Sequence, residues 1–145
     1  MSKENIGTKT ASHILVVDGD YGDLKTAEYV LEGGILGAKI HLASNASKGI
    51  RILNQSHIDV VVTGMVYGNT QGRISAEASK EVIKHALDQK PPIPVVAIAT
   101  SFSDAAVIFF GEQGVQTLKK GSSTFERDLV SAVDRKLSRP AAIPA

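Results

Sequence analysis

Three apolar runs in this chain stop at residues that could do chemistry. His13-Ile-Leu-Val-Val runs into Asp18-Gly-Asp20, Ile93-Pro-Val-Val-Ala-Ile-Ala ends in Thr100, and the run that starts at Val115 ends in Lys120. A fourth run, Asp59-Val-Val-Val-Thr, ends at Gly64, which brings no side chain at all. Two carboxylates, a hydroxyl and an ammonium support three arrangements. Asp18 and Asp20 are oxygen ligands of the kind a hard cation such as magnesium takes, which would suit an enzyme acting on phosphate esters. Lys120 and Thr100, with loop amides, would make a small-anion pocket. Lys120 and Asp18 would otherwise pair with each other, because an isolated charge in a cleft finds a partner. The ion pair is the expected arrangement, worth on the order of 1 kcal/mol in a partly open cleft.

The elements that must position these residues read clearly. Apolar runs at 14–17, 39–43, 59–63, 94–99 and 115–118 alternate with helical patterns. The runs are continuous rather than alternating, which fits strands covered on both faces in a parallel sheet. The first helix is expected to start at Asp23 as N-cap, present Leu24, Ala27 and Leu31 inward, and stop at Gly33-Gly34. The second is expected over Ala46 to Asn54, the third over Ser75 to Gln89, the fourth over Asp104 to Gln113, and the fifth over Thr124 to Leu137. A β-α unit repeated five times implies a doubly wound α/β sheet with its site at the carboxyl ends of the strands. The expected organisation is a flexible segment over 1–12, one domain over 13–137, and a Pro/Ala-rich frayed tail over 138–145.

Composition narrows the field. The chain has 145 residues, 43% hydrophobic, which suits one domain with its own core. Net charge is +1 and the basic residues are scattered, so no nucleic-acid partner is expected. The absence of cysteine excludes thiol chemistry and disulfides. The first eleven residues hold no apolar run, so they do not form a signal peptide. No stretch approaches the ~20 apolar residues of a membrane span, so no membrane association and a cytoplasmic location are expected. With no second domain, output would pass through the surface. Asp18-Gly-Asp-Tyr-Gly22 lacks the three-glycine spacing of a dinucleotide turn, and its acids would repel a pyrophosphate. His13, His41, His57 and His85 show no ligand spacing and sit on different elements, so no metal site is expected. No serine lies in a Gly-x-Ser-x-Gly turn. Gly33-Gly-Ile-Leu-Gly37 reads as a helix stop and connection.

Asp, Thr and Lys at successive strand ends, in that order, resemble the receiver domain of two-component response regulators. The likeness covers residues 13–137 and implies a five-stranded, flavodoxin-like (βα)5 fold. In that family the first strand ends in two adjacent acids that hold magnesium. Asp18 matches the first, Gly19 takes the second position, and Asp20 follows. The phosphoacceptor aspartate falls on Gly64, the hydroxyl on Thr100 and the lysine on Lys120. Tyr67-Gly68 replaces a Met-Pro pair in the loop after the acceptor, and Gly72 keeps the register of the family glycine. Gly121 replaces the proline that follows the lysine, and the switch aromatic falls on Thr117. The resemblance therefore implies a pseudo-receiver. Phosphoryl transfer needs a nucleophilic oxygen and a metal, and Gly64 and Gly19 supply neither the nucleophile nor the side-chain ligands. Weak or absent magnesium binding and no enzymatic activity are expected.

Val107-Ile-Phe-Phe110 adds a surface. Consecutive helical residues lie ~100° apart, so four apolar neighbours cannot all face a sheet. Phe110 is expected inward and Phe109 outward. Ile108, Phe109 and Thr117 are the candidate partner surface, on the face that receivers commonly use. The expected partner is a signalling protein, such as one resembling a histidine kinase, or a second copy of this chain. The alternatives are the anion sensor at Lys120 and Thr100 and the metal-dependent enzyme at Asp18 and Asp20.

Overall fold

The computed structural model describes residues 11–64, 68–70, 73–75 and 77–138. In chain order the elements are β1 Ser12–Val17, α1 Tyr21–Gly34, β2 Ala38–Ala43, α2 Ala46–Gln55, β3 Val60–Thr63, β4 Gly68–Thr70, β5 Arg73–Ser75, α3 Glu77–Leu87, β6 Val95–Ala99, α4 Asp104–Glu112, β7 Gln116–Lys119 and α5 Phe125–Leu137. The main sheet has the order β2-β1-β3-β6-β7, with every pair parallel. This is the doubly wound α/β architecture expected from the five apolar runs.

Both faces of the sheet are covered, which is why the strands read as unbroken apolar runs. Leu15, Val17, Val61, Val95 and Ala97 pack toward α2, α3 and α4 against Leu53, Val82, Ile83, Ala86 and Phe110. Their strand neighbours Ile14, Val16, Val60, Val62, Val96 and Ile98 pack the other way, against Leu24, Leu31, Leu129 and Val133 of α1 and α5. Each fully buried aliphatic side chain contributes about 1.5–3 kcal/mol through removal from water. Among the described residues, no helix is long and apolar enough to cross a membrane.

Two helix starts and one added hairpin depart from the sequence reading. Asp20, not Asp23, caps α1: its Oδ1 accepts the Asp23 N–H at 2.9 Å. The two acids stand three apart, and the one nearer the strand end wins because its backbone is still extended. The third helix starts at Glu77, and Ser75 belongs to a strand. That strand, β5, forms an antiparallel hairpin with β4, an element the sequence reading lacks. The loop landmarks Tyr67 and Gly72 lie outside the described residues, as do the terminal segments 1–10 and 139–145.

Two adjacent glycines in α1 have opposite roles. A Cβ at Gly33 would meet nothing within 4 Å, whereas one at Gly34 would lie 2.5 Å from Val130 Cγ2 and 2.9 Å from its Cγ1. Gly34 therefore sets the approach of α1 to α5. Gly33→Ala should stabilise the fold by about 0.5–1 kcal/mol through helix propensity. Gly34→Ala should destabilise it by about 1–3 kcal/mol through overpacking against a β-branched side chain. Urea unfolding of the two variants checks this, and equal effects would exclude the close approach.

Candidate functional site

β1 and β3 run side by side with Val17 opposite Thr63, so the next residues, Asp18 and Gly64, meet at the carboxyl edge. The Gly64 N–H donates to the Val17 carbonyl at 2.7 Å. The Gly64 carbonyl accepts the Thr63 hydroxyl at 3.0 Å and the Ser79 hydroxyl at 3.1 Å. Its backbone is not left-handed, unlike that of Gly37 and Gly114. Glycine is required here by space: a Cβ at position 64 would overlap the Asp18 carboxylate, 2.6 Å from its Cγ. The carboxylate of the first strand thus fills the volume in which any side chain at position 64 would start.

Asp18 is held there from two sides. Its Oδ1 accepts the Asp20 N–H at 3.0 Å, and its Oδ2 accepts the Lys120 ammonium at 2.9 Å. Lys120 reaches this point because the ladder from β6 continues one residue past β7, with its N–H on the Ala99 carbonyl at 2.9 Å. The same ammonium donates to Asp23 Oδ2 at 2.7 Å, from the first turn of α1. Burial by itself would lower the Lys120 pKa. The hydrogen bonds it donates to Asp23 and Asp18, with their negative charge, outweigh it and raise the pKa above the ordinary lysine value. The ammonium therefore stays charged throughout the neutral range.

The expected ion pair is present, but its setting differs from the partly open cleft of the sequence reading. Asp18 is only 3% exposed. A buried carboxylate stripped of its cation costs about 3–5 kcal/mol, well above the value of a surface pair. Asp23 was missed as a partner because its position suggested an N-cap. The remaining candidates are placed apart. Gly19 and Asp20 are exposed, and Asp20 spends its side chain on capping α1. Thr100 is exposed just beyond β6 and makes no side-chain hydrogen bond among the described residues. A cavity of about 280 Å³ beside Lys120 is lined by Asp23, Thr26, Ser122 and Phe125, and Thr100 is not part of it.

The second candidate region is α4. Phe110 is 4% exposed and enters the core, where its ring meets those of Phe102 and Phe109, each at 5.6 Å. Phe109 is more exposed than Phe110 but half-buried, with the Lys80 ammonium 5.1 Å from its ring centroid. Val107 and Ile108 are the outward residues, 53% and 61% exposed. Thr117 is exposed on the edge strand β7. The outward apolar position is thus centred one residue earlier than Phe109.

No protein-family model and no curated protein matches the sequence. Solved structures do match. A signal receiver domain of an HD domain-containing protein from Pseudomonas fluorescens Pf-5 superposes with TM-score 0.71 at 16% identity, over 88% of this chain and 94% of that one. A CheY-like response regulator receiver domain protein from Methanospirillum hungatei JF-1 gives 0.70 at 18%, over 88% and 94%. A response regulator receiver domain protein from Clostridium thermocellum gives 0.69 at 22%, over 87% and 94%. The fold is that of a receiver domain. At these identities the fold is what the chains share.

The overlap of position 64 with Asp18 is testable. Gly64→Ala should destabilise the protein by about 1–3 kcal/mol, because the buried carboxylate must leave its hydrogen bonds. In an Asp18→Ala background the same substitution should be nearly neutral, giving a coupling of about 1 kcal/mol or more in a double-mutant cycle. Additive losses would mean that the two residues do not compete for space.

Proposed function

We propose that this chain is a pseudo-receiver, a signalling domain that acts by protein contact and takes no phosphoryl group. The observation that carries the reading is the Asp18 carboxylate lying over Gly64 in the grip of Lys120. In a phosphorylatable receiver this volume belongs to the acceptor aspartate. Here an internal carboxylate fills it, and no oxygen nucleophile is offered at position 64. Thr63 is no substitute, since it is buried with its hydroxyl on the Gly64 carbonyl.

The donor set does not suit magnesium either. The ion wants several oxygens in near-octahedral array. One Asp18 oxygen faces an ammonium, the other accepts a backbone N–H, and Asp20 is occupied as a cap. Neither a resident metal nor an enzymatic reaction is part of this reading. Nor does the geometry favour a small anion at Lys120, whose charge is already met by Asp18 and Asp23.

Incubation with acetyl phosphate and magnesium, followed by intact-mass analysis, tests the central claim. No mass gain is expected. A hydroxylamine-labile adduct of one phosphate would overturn it.

Protein contact is assigned to α4 and the neighbouring edge strand β7. Burial of an exposed aliphatic side chain at an interface contributes about 1.5–3 kcal/mol, enough to anchor a contact. Ile108→Glu should change stability by less than about 0.5 kcal/mol while abolishing self-association or capture of a signalling partner. Phe109→Glu should also lower stability, because its ring leans on Phe110. An Ile108→Glu protein that folds and binds as before would remove α4 as the contact face.

A further inference from the structure

Three histidines that are scattered along the sequence converge on one side of the sheet, away from Asp18 and Lys120. The β1–β2 ladder places Leu15 opposite His41, which puts His13 and His41 on the α2 side as diagonal neighbours. Their rings lie 5.2 Å apart, with His13 Nδ1 3.0 Å from His41 Nε2. His57, in the loop after α2, places its ring 6.3 Å from that of His13. Asp59 binds this group together. Its Oδ2 accepts the His13 backbone N–H at 2.8 Å, and its Oδ1 lies 2.7 Å from His57 Nε2.

We propose that His13 Nδ1 and His41 Nε2 form the seat of a divalent transition-metal ion, with the His57 imidazole turning in as a third ligand. Two nitrogen ligands about 2.0–2.1 Å from a tetrahedral ion stand about 3.3–3.4 Å apart. The pair is already within a few tenths of an ångström of that separation. One ring now donates to the other's lone pair. On binding, the donor ring carries its proton on its other nitrogen, so both lone pairs face the ion without net proton release.

His57 is suited to complete the site. Its side chain is 78% exposed and is anchored through Nε2 on Asp59 rather than by packing. With Nε2–H donated to Asp59, its Nδ1 presents a lone pair, the carboxylate–histidine arrangement that commonly orients metal ligands. Among the described residues, no three His, Cys, Asp or Glu side chains stand where they could hold a metal ion, so the seat rests on the His13–His41 pair and His57 must move inward to complete it. The chemistry fits a borderline cation such as Zn²⁺ or Ni²⁺, bound through imidazole, rather than magnesium.

Calorimetric titration of the untagged full chain with zinc chloride and nickel chloride tests this. One ion per chain is expected at pH 7.5. His41→Gln keeps a hydrogen-bonding partner for His13 but removes the ligand, and should weaken binding about 10- to 100-fold. His57→Ala should weaken it about tenfold. His85→Ala, whose ring pairs with Asn54 on another surface, should change nothing. Thermal unfolding shows whether each variant folds, and His57→Ala, at an exposed position, keeps the test decisive if His41→Gln does not. The proposal fails if wild type shows no saturable binding, if a folded His41→Gln or His57→Ala binds as wild type does, or if His85→Ala abolishes binding.

Discussion

A single buried carboxylate dictates the carboxyl edge of this sheet. Asp18 is nearly sealed from water, and a charge in that position is tolerable only when paired and hydrogen-bonded. Lys120 supplies the pairing across 102 residues of sequence. The arrangement ties β1, an inner strand of the sheet, to the end of β7 at its edge. It also draws the first turn of α1 inward through Asp23. Gly64 follows from this placement, because any side chain there would displace the carboxylate. On the proposed reading, a carboxylate introduced at position 64 would not by itself make a phosphorylation site. It would set a second negative charge against Asp18 and force the first out of the grip of Lys120, with Asp23 already competing for the same ammonium.

The fold was legible because its signals are local and redundant. Five apolar runs flanked by helical patterns allow few arrangements once short right-handed connections are required. The site was legible in part. Position along a strand end placed Asp18, Gly64 and Lys120 together, since the ends of parallel strands gather at one edge. Burial was not legible, because it depends on how the loop after β1 and the start of α1 close over Asp18. The cap assignment failed because Asp20 and Asp23 offer the same chemistry three residues apart. Gly68-Asn-Thr and Arg-Ile-Ser are too short and too polar to announce a hairpin. The histidine group had no sequence signature: His13, His41 and His57 come from two strands and a loop, and only the register of β1 on β2 brings the first two together.

Helix α4 shows how a simple angular constraint becomes a surface. With Phe110 directed into the core beside Phe102, helical geometry turns Ile108, two positions earlier, outward, and Val107 is exposed beside it. Phe109 lies between these directions and is half-covered, shielded partly by Lys80. The sequence reading put Ile108 and Phe109 on this surface and expected Phe109 to be more exposed than Phe110, which it is, though it is half-covered. Lys80, from α3, reaches over its ring. The apolar exposure that remains is aliphatic and small, in keeping with an anchor inside a larger contact rather than a complete interface.

On the proposed reading, the absence of a phosphate switch changes what can regulate the domain. A phosphoryl group shifts a receiver by binding one conformation better than another, and an equilibrium can be moved only by such a difference. Here an internal ion pair takes the place of the phosphate and favours one arrangement of the strand ends. Lys120 keeps its charge through the neutral range, so ordinary pH changes do not release it. Its contribution to stability is fully present below the unfolded lysine pKa and is lost as pH rises through the still higher folded value. A regulator of this chain must therefore act where the structure retains freedom. Two such places are the exposed face of α4, through a partner that prefers one packing of it, and the histidine group beside α2, through an ion that closes His57 onto the sheet.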